Sequence, residues 1–156
     1  MKLDHIGIAV RSLDEALKFY RDTLGLRLAG IDTLPAEKVR VAMLPLGNMR
    51  LELLEATAAD SPIAGFLEKR GPGIHHIAIE VAQLDARLRQ LEALGVRVLP
   101  GKAESGASPD KVGASGHRYA FLHPASCGGV LVELVEAPQE RETKLQATGR
   151  SPWPEQ

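Results

Sequence analysis

The stretch LDHIGIAVRSLDEAL, Leu3 to Leu17, returns as IHHIAIEVAQLDARL, Ile74 to Leu88, at a constant offset of 71 positions. With one residue of slippage LGLRL (Leu24 to Leu28) then matches LGVRV (Leu94 to Val98), and LELLEA (Leu51 to Ala56) matches VELVEA (Val132 to Ala137). A repeat on this scale means two copies of one supersecondary unit that share the burial of a core. Each copy opens on a strand bearing a histidine and closes on a strand bearing a glutamate.

Within a copy the pattern reads strand, helix, then several strands. Ile6, Ile8 and Val10 alternate with Gly7 and Ala9, as in a strand with one bulky face. Ser12 with Glu15 forms a capping box, and Leu13, Ala16, Leu17, Tyr20 and Leu24 give a helical stripe that Gly25 ends. The second copy repeats this with Leu84, Leu88, Leu91 and Leu94 before Gly95. KVRVAMLPLG and MRLELLEA pair around Gly47-Asn48, and HRYAFLHP and GVLVELVEA take those parts around ASCGG. The fold class expected is α+β, two tandem βαβββ modules at 1–56 and 74–138 in a single domain, 1–138, with a helical linker over 57–73. PGKAESGASPDKVGASG reads as a long loop, and the polar segment 139–156 as a disordered tail.

Alternation across a strand assigns faces. His5, Gly7 and Ala9 share one face of the first strand, and His76, Ala78 and Glu80 the corresponding face of its copy. The bulky opposite face should pack on the following helix, leaving the histidine face to line a cavity. His76 is therefore the twin of His5, whereas His75, His117 and His123 are expected in surface or loop roles. Glu52, between Leu51 and Leu53, and Glu133, between Val132 and Leu134, are acids set in apolar strands. A buried, unpaired carboxylate is costly, and a cation is an efficient remedy. Two imidazoles and two carboxylates at repeat-equivalent positions suit a divalent ion such as cobalt, manganese, nickel or zinc. Any one of these residues alone would read as a core or surface group; the duplication is what favours a shared metal site.

Composition narrows the function classes. A 156-residue chain with 44% hydrophobic residues can bury one good core. A formal net charge of −1 offers no field for nucleic acid or an anionic membrane. The lone Cys127 excludes an internal disulfide and a Cys-rich zinc site, which fits a reducing, cytoplasmic setting. The opening MKLDHIGIAV interrupts its apolar run with Asp4 and His5 and does not read as a signal peptide. No apolar run is long enough for a membrane span.

DHIGIAV, DSPIAGFLEKRGPGIHHIAIEV and FLHPASCGGVLVEL together resemble the vicinal oxygen chelate (glyoxalase-like) superfamily and, within it, the methylmalonyl-CoA epimerase family. The resemblance runs from about Leu3 to Ala137, and the second and third stretches are its specific part. It implies a half-open barrel of paired βαβββ modules, metal ligands His5, His76 and Glu133, and Glu52 where the family places Gln or Glu as a further ligand. It implies also that Glu133 acts as an acid/base near the reacting carbon, that the partner is an acyl-CoA, and that the working form is a homodimer. One departure stands out: some family members carry a second catalytic glutamate where this chain has Val41, which cannot move a proton.

The reaction so implied is epimerisation at C2 of a 2-methylmalonyl thioester through an enolate. Ser61 and Gly128-Gly129 are candidate close-approach positions for the coenzyme A tail, and Lys69, Arg70, Lys102 and Lys111 candidate phosphate contacts, although each reads first as a solvated loop residue. The same four ligand types would serve a glyoxalase-type lactoylglutathione lyase. A non-catalytic binding or resistance protein on the same scaffold is the third reading, and it would not need the ligand set. An extradiol dioxygenase fits less well, because Glu52 would occupy a position that chemistry keeps open.

Overall fold

In the computed structural model, residues 1–99, 111–112 and 117–137 are described. Most of the expected long loop, with Lys102, and the tail 139–156 lie outside them. The chain forms two compact units, Asp4–Ile77 and the pair of segments Met1–Leu3 and Ala78–Gln156.

The first unit runs β1 (Lys2–Ala9, entering this unit at Asp4), α1 (Leu13–Leu17), β2 (Gly30–Leu34), β3 (Val39–Leu46), β4 (Met49–Ala56) and α2 (Pro62–Arg70). Its strands lie in the order β2-β3-β4-β1, with β1 parallel to β4 and the others antiparallel. The β3–β4 hairpin turns on two residues, and Gly47 takes φ +59 at the first of them, where a side chain would be strained. The second unit repeats the order with the later half of β5 (Gly73–Val81), α3 (Leu84–Ala93), β6 (Lys111–Val112), β7 (Arg118–Leu122) and β8 (Val132–Glu136). Both units are thus βαβββ, as the repeat predicts.

The faces follow the pleat. In the first unit Ile8 and Val10 pack with Leu13 and Leu17 of α1, together with Ala42, Leu44 and Leu53. In the second, Ile79 and Val81 pack with Leu84 and Leu88 of α3. On the opposite face of the first sheet, Ala9, Val39, Val41 and Leu54 are covered by Ile63 and Leu67 of α2. That apolar end fixes the sheet and leaves the row carrying His5 and Glu52 to hold polar groups.

Each helix that follows a histidine strand is capped from the end of its glutamate strand. Glu55 accepts the Leu13 N–H and pairs with Arg40 at 3.1 Å. In the second unit Glu136 accepts the Leu84 N–H at 3.2 Å and pairs with Arg118 at 3.0 Å. Satisfying an orphan donor at a helix start contributes about 1 kcal/mol. The second glutamate of LELLEA and VELVEA is therefore structural.

The helical stripe departs from expectation in two places. After Leu17 the helix widens to a π turn over Lys18–Thr23, with the Leu24 N–H bonded to the Phe19 carbonyl at 2.8 Å. The wider turn breaks the 3.6-residue phase, and Leu24 stands 55% exposed. Leu94 is 81% exposed because α3 ends at Ala93, so helical periodicity no longer governs it. Both leucines precede a glycine at φ +80, the expected left-handed stop.

Candidate metal centre

His5 sits near the start of β1 and is 3% exposed. Its register partner on the parallel neighbour β4 is Arg50, and Gly7 lies beside Glu52. The period of two therefore puts His5, Gly7, Arg50 and Glu52 on one face of the first sheet. His76, on the first-unit part of β5, is 5% exposed, and Glu52 is 8% exposed.

Three of the four expected site residues meet in this unit. The Nε2 atoms of His5 and His76 face each other at 3.0 Å, their rings edge to face. A Glu52 carboxylate oxygen lies 3.5 Å from the same His5 nitrogen. Glu133 belongs to the other unit, where β8 buries it to 6% exposure between Val132 and Leu134.

A charged frame holds these groups. Arg50 donates from Nε to Glu52 at 2.7 Å and from Nη2 to Asp4 at 2.8 Å. Asp4 also accepts from His5 Nδ1 at 2.8 Å, on the same carboxylate oxygen. Burial alone would raise the Asp4 carboxyl, but the hydrogen bond from His5 and the charge of Arg50 outweigh it and hold it down to about 2. Burial likewise works against the Arg50 charge, yet the Glu52 and Asp4 carboxylates win and push its guanidinium above the ordinary value. Asp4 thus stays ionised, and the Arg50 guanidinium bridges it to Glu52.

Two close approaches complete the site. His75 reaches His76 Nδ1 with its own Nδ1 at 2.9 Å. This corrects the expectation that His75 is a surface or loop residue: its ring is half-buried and edge-on to Phe66, with centroids 5.0 Å apart. Gly7 is where the His76 ring passes over β1; a β-carbon there would lie 2.2 Å from His76 Cε1. His123 does keep a loop role, accepting the Ala125 N–H at 3.1 Å.

The remaining candidates are placed as follows. Val41 is 2% exposed, set between Asp32 and Leu54 on the sheet, and carries no acid. Ser61 is used internally: its hydroxyl caps α2 by accepting the Ile63 N–H at 3.2 Å. Lys69 and Arg70 are exposed in the last turn of α2, and Gly128 and Gly129 take positive φ in a turn. The side chain of Lys111 lies outside the described residues. Asp4, Arg50, His75 and Gly7 join the site without standing out in the sequence as site residues. For Arg50 a signal exists, since it stands two residues before Glu52 and so shares its face.

Comparison with known proteins gives one consistent answer. The model of the Glyoxalase/Bleomycin resistance protein/Dioxygenase superfamily matches residues 4–121. Mitochondrial methylmalonyl-CoA epimerase of Mus musculus is 42% identical over 137 residues, 87% of this chain and 73% of that protein. The ethylmalonyl-CoA/methylmalonyl-CoA epimerase of Cereibacter sphaeroides is 42% identical over 86% of this chain and 97% of its own length. A solved Streptomyces coelicolor methylmalonyl-CoA epimerase variant in complex with 2-nitronate-propionyl-CoA superposes with a TM-score of 0.80 at 39% identity, covering 89% of this chain and 96% of that one. Among the described residues no helix is long and apolar enough to cross a membrane.

Proposed function

Because this chain belongs to the glyoxalase-like superfamily and, within it, to the methylmalonyl-CoA epimerase family of isomerases, we propose that it interconverts the (R) and (S) forms of methylmalonyl-CoA through an enolate at C2. A divalent cation would be held by His5, His76 and Glu133, and Glu52 would be a further ligand. The observation that carries this reading is the buried histidine pair. Two imidazole nitrogens on one ion, each with a bond of about 2.1 Å, stand roughly 3.0 to 3.4 Å apart. The His5–His76 spacing of 3.0 Å fits, and the Glu52 oxygen at 3.5 Å fits beside it. Nitrogen and carboxylate donors suit cobalt, manganese, nickel or zinc.

When bound, such an ion supplies the positive charge that lowers the energy of an enolate oxygen and a neighbouring carboxylate. The protein residues do the rest. Glu133 takes the C2 proton: the C–H bond breaks, its electron pair enters the C1–C2 bond and the thioester oxygen becomes anionic. The planar intermediate is then protonated on the opposite face by a second carrier. Val41 cannot be that carrier, being aliphatic and sealed among Ala9, Leu54, Ile63 and Leu67. Support for the enolate comes from the Streptomyces coelicolor complex, since a nitronate shares the flat, oxyanionic form of an enolate at C2.

The test is solvent exchange. One epimer of methylmalonyl-CoA, incubated in deuterium oxide with cobalt-loaded protein, should yield both epimers with deuterium at C2. Retention of the C2 proton and of the single epimer would refute the proposal.

A further inference from the structure

Phe121 and Glu133 are register partners across the antiparallel pair β7–β8, so their side chains leave the same face of these strands. We propose that Phe121 is the wall against which the alkyl group on C2 lies, and that it limits the substrate to 2-alkylmalonyl thioesters with a short alkyl chain. The proposal rests on Glu133 as the base argued above and adds which residue sets the size of the group beside it.

The pleat sorts β7 and β8 into two faces. Ala120, Leu122 and Leu134 turn toward α3 and close the core with Leu84 and Leu88. Tyr119, Phe121, Glu133 and Val135 take the other face, where Tyr119, Val135 and Phe121 pack with Ala78. Glu133 therefore stands beside apolar neighbours. Ala78, Tyr119 and Val135 are buried, their surfaces taken up by one another, whereas Phe121 is only half-buried. Within this cluster Phe121 is the member with surface left to meet a substrate.

The chemistry needs such a surface. C2 carries a carboxylate, the thioester carbon, the alkyl group and the proton that Glu133 removes. A base works only within hydrogen-bond reach of its proton, so C2 lies beside the Glu133 carboxylate. The carboxylate and thioester oxygens are the groups a cation attracts, which leaves the alkyl group for apolar surface. Opposite residues on one sheet face have β-carbons about 4.5–5.5 Å apart, so the Phe121 ring borders the same space as that carboxylate. Tyr119 meets the ring edge to face, with centroids 5.6 Å apart, and braces it. A braced ring sets a fixed depth, and one methylene too many in an apolar pocket is discriminated roughly 10- to 200-fold. Met43 stands opposite Glu52 in the same way, but an unbranched thioether yields where a braced ring does not. The size limit therefore belongs to the second unit.

Binding separates the wall from the reaction. Calorimetry on the cobalt-loaded full chain, with racemic 2-methylmalonyl-CoA and 2-butylmalonyl-CoA, reads the ratio of the two affinities. The unmodified protein should bind the methyl ester at least about 10-fold more tightly. Phe121→Ala should bring that ratio to one or reverse it, and Phe121→Leu should move it part of the way. Tyr119→Leu, which removes the brace, should move it in the same direction. Leu134→Val, on the face toward α3, should lower the unfolding temperature and leave the ratio unchanged. Overturning results are an unmodified protein indifferent to chain length, an unchanged ratio in Phe121→Ala, an equal shift in Leu134→Val, or no binding of either ester. Methyl-selective binding that Phe121→Ala abolishes, without C2 exchange, would sink the proposed reaction and leave the wall standing; C2 exchange with affinities indifferent to chain length would do the reverse.

Discussion

Gly7→Ala is expected to lower epimerisation at least about 100-fold and to abolish tight metal binding, with the fold intact. The added β-carbon would stand 2.2 Å from His76 Cε1, 2.6 Å from Nδ1 and 2.8 Å from Nε2. Every one of these is well inside van der Waals contact, so the ring has to leave. It cannot leave slightly, because the same ring is held by His5 at 3.0 Å and by His75 at 2.9 Å. A displacement of about 1 Å breaks both contacts, and misplacement on that scale costs on the order of 100-fold in rate. Stability should behave differently. Gly7 has ordinary strand backbone rather than a positive φ, so alanine adds no backbone strain there. It also removes glycine's entropic cost in a strand, about 0.5–1 kcal/mol. A folded, thermally stable and inactive variant is the expected result, read by unfolding temperature beside the deuterium exchange rate. Wild-type exchange in Gly7→Ala would show that His76 need not stay where it is.

Glu133 and Glu52 are twins by position, yet their replacement by glutamine should have unequal consequences. Glu133→Gln keeps the shape and an oxygen donor but removes the proposed base. A positioned acid/base contributes roughly 100- to 10,000-fold, and a loss in that range is expected. On the proposed function Glu52 serves as a ligand, so the amide oxygen of Glu52→Gln can stand in for the carboxylate. Glu52→Gln also loses the charge that Arg50 holds at 2.7 Å. Retention within about 10-fold of wild-type turnover is therefore expected, since Arg50 holds one Glu52 oxygen while the other faces His5. Turnover of the two variants under saturating cobalt decides the matter. A collapse in Glu52→Gln equal to that in Glu133→Gln would make Glu52 a proton carrier instead.

Much of this arrangement is legible in the repeat. Duplication pairs His5 with His76 and separates His76 from His75, and the pleat puts the small residues Gly7 and Ala9 on the histidine face. The βαβββ order follows from the same alignment. What the pleat does not reveal is side-chain reach. Alternation sends Asp4 and His75 away from their neighbouring histidines, yet both side chains turn back to touch Nδ1. Arg50 is legible by spacing alone, but its dual grip on Asp4 and Glu52 depends on β1 lying parallel to β4, a pairing between distant strands. The π turn after Leu17 is hidden because an apolar stripe read at 3.6 residues per turn does not distinguish a wider turn from an α-helical one.

The central claim, that of the proposed function, is that His5, His76 and Glu133 hold a single ion. Anomalous diffraction from crystals grown with cobalt tests it most directly. The expected result is one cobalt peak per chain, about 2.1 Å from Nε2 of His5, Nε2 of His76 and an oxygen of Glu133. A cobalt bound elsewhere, or His5 and His76 left without one while Glu133 points away from them, would contradict it.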